Sequence, residues 1–173
     1  MFNIYSADVT GNPGNCSYPH KHVILDEDSL KAAICHDDVC AEYKNSYRNG
    51  DNFIGSDCLP VDCDNDHSEN PDDWVTPDDI LQAFPGVSFA IHYSRYNNRE
   101  KNGKTARPKF HVLFPIEYVS DGKFAFAELK APGESPRPLQ KARHRLLRSL
   151  GFRVYVIDSI EQIGGMIDEL RTS

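Results

Sequence analysis

The strongest constraint on the fold is a change of hydrophobic period in the last third of the chain. Phe124 to Leu129 alternates and reads as a strand, entered from the tight-turn signal Ser120-Asp121-Gly122-Lys123 and closed by Pro132-Gly133. From about Pro138 the apolar residues recur at helical spacing, so Leu139, Ala142, Leu146 and Leu150 are expected on a buried face, with Gly151 as the left-handed stop. Period 2 then returns in Arg153-Val154-Tyr155-Val156-Ile157. Ser159 is a cap for a last helix carrying Ile160, Ile163, Ile167 and Leu170. Strand–helix–strand–helix implies an α/β fold in which helices cover a sheet.

The front of the chain is more broken. Residues 1–20 are rich in Gly, Asn and Pro and read as an irregular arm, before a short strand at Val23-Ile24-Leu25. Asp26 to Ser29 has helix-start chemistry for a helix carrying Leu30, Ala33 and Ile34. Thr76-Pro77-Asp78-Asp79 starts another: a hydroxyl cap, proline at the first position, and acids at the positive end of the dipole. That helix should bury Ile80, Leu81 and Phe84 and stop at Pro85-Gly86. Val87 to Tyr93 and Phe110 to Phe114 read as strands, joined by a polar loop at 95–109 with six basic residues.

Charge is unevenly placed. Residues 1–117 hold 10 Lys/Arg against 19 Asp/Glu, whereas residues 118–173 hold 9 against 7, within a net charge of −7. This argues against a generic nucleic-acid coat and fits an acidic, cation-collecting half joined to a mildly basic one. No run of 18 apolar residues is present, so no membrane span is expected. The segment Met1-Phe2-Asn3-Ile4-Tyr5-Ser6 lacks the regions of a signal peptide. Five cysteines, an odd count, fit reduced thiols in a cytoplasm. Cys58, Cys63 and His67, with Cys35 or Cys40, match no strong zinc spacing.

Two motifs carry chemistry. In Val61-Asp62-Cys63-Asp64, carboxylates two residues apart on a strand face the same way, within reach of Mg²⁺ or Mn²⁺. His111 on a later strand can hydrogen-bond a triphosphate. The basic loop, with Arg107 and Lys109, can offset phosphate charge. These residues, in the context of 1 to about 117, resemble the N-terminal part of an archaeo-eukaryotic-type primase–polymerase domain. The resemblance implies metal binding by Asp62 and Asp64 and nucleotide contact by His111. Lys109 stands where that motif usually has a small residue, and the family's third acidic motif has no counterpart after His111.

The second motif is Phe126-Ala127-Glu128-Leu129-Lys130, a Glu-x-Lys ending a strand, with Gln140 on the following helix. In metal-dependent nucleases such a Glu binds Mg²⁺ and the Lys orients the attacking water and offsets phosphate charge. The run 126–133, Pro138-Leu139-Gln140 and Gly151 to Asp158 resembles the C-terminal half of a VRR-NUC nuclease domain, over about 119–173. That resemblance implies Glu128 as a metal ligand, Lys130 as the catalytic lysine and Gln140 as an active-site residue, with a homodimer as one possible state. The family's upstream Pro-Asp is missing from the preceding strand. Glu117 is a candidate substitute.

The expected organisation is therefore a composite. A primase-polymerase-like segment at 1–117 is joined to a VRR-NUC-like nuclease segment at 118–173, a partial primase-like fold abutting a partial restriction-endonuclease-like one. Strands 110–114 and 124–129 are expected to pair as a hairpin, bringing Asp62, Asp64, His111, Glu128 and Lys130 towards one cleft. The favoured function is a Mg²⁺- or Mn²⁺-dependent DNA nuclease in replication, repair or a mobile element. The alternatives are a nucleotidyl-transfer or nucleotide-binding module, with a nucleoside triphosphate as partner, and a non-catalytic remnant that binds nucleic acid.

Overall fold

The computed structural model describes residues 1–66, 68–100, 103–120, 125–129, 133, 135–136, 138–149, 152–159 and 161–172. The architecture is mixed α/β, with antiparallel and parallel strand pairs flanked by helices. The chain divides into two compact units. Asn3–Ser56 joins Tyr118–Ser173 and Met1 in the first, and Asp57–Glu117 with Phe2 forms the second. Most of the first 56 residues thus cluster with the back of the chain.

In the first unit, β1 (Phe2–Ser6) lies between β2 (His20–Ile24) and β3 (Asp38–Val39). This corrects the irregular arm expected at 1–20 for Phe2–Ser6 and His20, while residues 7–19 between them form no strand or helix. A central strand is buried on both faces and shows no clean alternation, and Ile4, Tyr5 and Ser6 are all buried. Helix α1 (Glu27–Ala33) begins as its sequence demands: Asp26 accepts from the Ser29 N–H, and the Ser29 side chain reaches back to the cap. Strand β4 (Glu42–Tyr43) pairs with the opening of β5 (Phe53–Cys63).

Later in the chain, β8 (Ala125–Leu129), α3 (Pro138–Ser149) and β9 (Arg153–Ile157) form a parallel strand–helix–strand unit, followed by α4 (Glu161–Thr172). Among the described residues the expected hairpin does not appear. The hydrogen-bonded neighbour of β8 is β9, and β7 (Phe110–Ser120) pairs with β5 and with β6 (Ala90–Tyr93). The intervening helix lets β8 and β9 run parallel, as crossover connections do.

One core holds both parts of the first unit. Ala41, Tyr43 and Phe53 pack with Leu147, Phe152 and Val154, and Phe126 leans on Phe152 edge-on at 5.3 Å between ring centroids. Burying each of the larger side chains, such as Phe53, Leu147 and Phe152, stabilises the fold by about 1.5–3 kcal/mol. Leu147, one residue from the expected Leu146, takes the inner position, and Leu146 is exposed. The side chains of Leu139, Ala142, Leu150, Ile160, Ile167 and Leu170 lie outside the described residues.

In the second unit β5, β7 and β6 lie side by side in that order, with His92 directly opposite His111 in the antiparallel register. Pro60 sits in β5 beyond the β4 pairing, which involves Phe53 and Gly55, so its missing N–H breaks no bond there. Helix α2 (Pro77–Ala83) starts at a reciprocal Thr76–Asp79 capping box with Pro77 in the first turn. Its inward residue is Ile80, packed with Phe110 and Val112. Leu81 and Phe84 are exposed, contrary to expectation, although Phe84 touches Phe114 edge-on. A seven-residue helix on one small core has room for one apolar row.

Candidate functional sites

Strand β5 sets the first site. Val61 and Cys63 turn towards the core of the second unit, so Asp62 and Asp64 alternate outwards. Both Asp62 and Asp64 are exposed, with Asp64 one residue past the end of the strand. His111 Nε2 stands 3.4 Å from Asp62 Oδ1, and His111 Nδ1 lies 2.8 Å from His92 Nε2. Asp62, His111 and His92 thus form a row across β5, β7 and β6. Burial, with help from His111, lowers His92 to about 4, so at neutral pH it carries no charge. Burial, reinforced by Asp62 and Asp64, pushes the Cys63 thiol up to about 11 and keeps it a thiol, which is a poor metal ligand.

The basic loop after β6 turns inwards. Arg107 is fully buried, and each N–H of its guanidinium has an acceptor. Nε donates to the Thr105 carbonyl, Nη1 to the carbonyls of Asn65 and Ser68, and Nη2 to Glu69 and to the Thr105 hydroxyl. Its plane also lies 5.3 Å from the Trp74 ring centre. A fork of five donors is what this site uses, and a lysine has no such geometry. Lys109 is 5% exposed and donates to the Asp64 carbonyl at 2.9 Å and to Asp66 at 3.0 Å, with the Asp64 carboxylate at 3.4 Å.

Lys104 donates to the Asp66 carbonyl. Between these cations sits buried Asn65, in the left-handed region at φ 52°, a conformation asparagine tolerates. Its amide bonds both the N–H and the carbonyl of Val75 and reaches the Pro108 carbonyl. Asp64, Asn65, Asp66, Ser68 and Glu69 are therefore laced to Lys104, Thr105, Arg107, Pro108 and Lys109. Arg107 and Lys109, expected to face a phosphate, point their charges at this chain's own oxygens.

The second site lies in the first unit. Glu128 is in β8 opposite Val156 of β9, two residues after Phe126 and on the same face. Its Oε2 hydrogen-bonds His144 Nε2 of α3, and His144 is 6% exposed. Gln140 and Leu147 flank His144 at i−4 and i+3, so all three share the inner face of the helix. Leu147 is fixed in the core and Gln140 is half-buried. Packing thus sets where the imidazole meets the carboxylate. Lys130 lies outside the described residues, as do Ala131, Pro132 and His67.

Of the expected residues, Asp62, Asp64, Lys109 and His111 gather in the second unit, and Glu128 and Gln140 in the first. His92 and His144, which from sequence read as ordinary polar or half-buried residues and not as ligands, stand beside these motif residues. A signal for His144 existed in the Gln140-x-x-x-His144 spacing, which puts both residues on one helix face. For His92 the signal was its place in a strand that pairs with the one holding His111. Among the described residues no three His, Cys, Asp or Glu side chains cluster so as to hold a metal ion. No helix among them is long and apolar enough to cross a membrane.

No family model matches the chain, and no solved structure matches it. A stretch of 41 residues is 51% identical to a protein named "Putative nuclease p44" from Acyrthosiphon pisum secondary endosymbiont phage 1. The matched part amounts to 24% of this chain and 44% of that protein, so the chain spans less than half of the relative's length.

Proposed function

We propose that the first unit carries a nuclease site that hydrolyses DNA phosphodiester bonds, with Glu128 at its centre. The observation that carries this reading is a carboxylate at the end of a parallel strand, held by His144 on the helix face that also presents Gln140. The 41-residue likeness to a phage protein named as a nuclease supports it and suggests a mobile-element setting. One carboxylate with an amide and an imidazole alongside suits a hard ion that keeps most of its water, such as Mg²⁺ or Mn²⁺, and not an ion needing a closed protein cage. Such an ion, when bound, supplies Lewis-acid stabilisation of charge on the phosphate.

The chain's own residues do the remaining work. Glu128 offers the carboxylate, His144 fixes its direction, and Gln140 presents an amide one turn away. Lys130, two residues along the chain, offsets phosphate charge and orients the attacking water. Labelled single-stranded, duplex and branched DNA, incubated with Mg²⁺ or Mn²⁺, tests this. Cutting should fall by about 10²–10⁴ in Glu128→Ala and in Lys130→Ala. Wild-type cutting that survives Glu128→Ala would sink the assignment.

A second reading rests on the row Asp62–His111–His92. Two outward carboxylates beside a half-exposed imidazole support a nucleotide-binding or nucleotidyl-transfer site using Asp62, Asp64 and His111. In the same samples, Mn²⁺-dependent binding of a nucleoside triphosphate lost in Asp62→Ala selects it. A folded chain that binds DNA but does neither is a non-catalytic remnant.

A further inference from the structure

Helix α3 carries Lys141, Arg143, Arg145 and Arg148 and no acid across Pro138–Ser149. All four cations are exposed. Arg148 is tethered by one N–H to the Val154 carbonyl at 2.8 Å. Among the described residues no carboxylate pairs with Lys141, Arg143 or Arg145. In this they differ from Lys104, Arg107 and Lys109, each of which lies against Asp64, Asp66 or Glu69.

Lys141, Arg145 and Arg148 follow at i, i+4 and i+7. At 3.6 residues per turn they fall in a stripe about 60° wide. Arg148 lies four residues after His144, so the stripe borders the helix face that meets Glu128. In a chain with a net charge of −7, a stripe that no carboxylate among the described residues compensates is a surface complementary to a regularly spaced polyanion.

We infer that the α3 stripe binds the phosphate backbone of DNA through Lys141, Arg145 and Arg148, laying the strand alongside the Glu128–His144 pair. That the bound backbone is also the one cut rests on the nuclease reading above. The docking itself does not. Contacts of this kind position a strand without reading its sequence.

The test is fluorescence anisotropy of a labelled 20-base-pair duplex with the full chain in EDTA, across a range of NaCl concentrations. Three phosphate contacts give a slope of log K against log [salt] of about −2.7, and Lys141→Gln with Arg145→Gln should make it shallower by about 1.8. Arg145→Lys keeps the charge and should keep the slope, and thermal unfolding of each variant shows that it is folded. Glu128→Gln should bind at least as tightly as wild type.

Unchanged affinity in the folded double variant overturns the inference. So does equal competition by polyglutamate, or equal binding to phosphatidylserine vesicles, since either would mean a generic polyanion surface. Binding in EDTA without cutting in Mg²⁺ removes the nuclease reading and leaves the docking surface standing. Cutting with no effect of the stripe variants does the reverse.

Discussion

The loop at 103–109 and helix α3 are two basic clusters of similar size in one chain, and their charges have opposite fates. In the loop, the guanidinium of Arg107 is enclosed and Lys109 is nearly so, each facing carbonyls and carboxylates from 64–69. On α3 the cations stand in water beside a half-buried carboxylate and its buried imidazole partner. Counting Lys and Arg therefore says little about binding. What matters is whether the fold supplies the counter-charge itself. A cation already surrounded by acceptors must break those bonds to meet a ligand, and an exposed one gives up only hydration.

The largest effect that would break this comparison is on stability. Arg107→Ala leaves the Asn65 and Ser68 carbonyls without their donor. An orphaned buried acceptor costs about 1–3 kcal/mol, so urea unfolding should report a loss on the order of 3 kcal/mol. Arg107→Lys should recover only part of it, because an ammonium cannot fill the fork's positions. A loss below about 0.5 kcal/mol would mean that the loop cations are as uncommitted as those on α3.

A medium effect sharpens the contrast through acid. His92, lowered by burial from 6.5 to about 4, refuses a proton that the unfolded chain accepts. The unfolded state binds more protons between those values, so stability should fall as pH drops from 6.5 towards 4. In His92→Gln that part of the pH dependence should disappear. An unaltered profile would show that His92 is not held neutral by its place between the strands. The smallest effect belongs to α3: Arg145→Ala should change stability by no more than about 0.5 kcal/mol in the same urea series.

What the sequence revealed was mostly local. Both helix starts, at Asp26 and at Thr76-Pro77, were legible because a cap is a contact between residues three apart. The outward alternation of Asp62 and Asp64 followed from the geometry of a single strand. The pairing of β8 with β9, the central place of β1 and the burial of Arg107 were not legible. Each depends on partners tens of residues away: the acceptors of Arg107 include Asn65, Ser68 and Glu69. At the Glu128 site, the Glu-x-Lys motif and the family resemblance pointed to Glu128 and Gln140. His144 reads from sequence as an ordinary half-buried residue, and its hydrogen bond to Glu128 appears only once α3 lies against β8.

The order of the two units along the chain has a consequence for how the protein is made. Residues 57–117 interrupt the first unit, whose core joins Tyr43 and Phe53 to Leu147 and Phe152. At a synthesis rate of about 5–20 residues per second, translating that insertion takes roughly 3–12 seconds. For that interval the early aromatics have emerged without the later residues that will cover them. The second unit is complete in sequence before the first and can begin folding while the first still waits. A ribosome-bound nascent chain paused after residue 117 would therefore hold Tyr43 and Phe53 without their final neighbours, which is when a chaperone has most to grip.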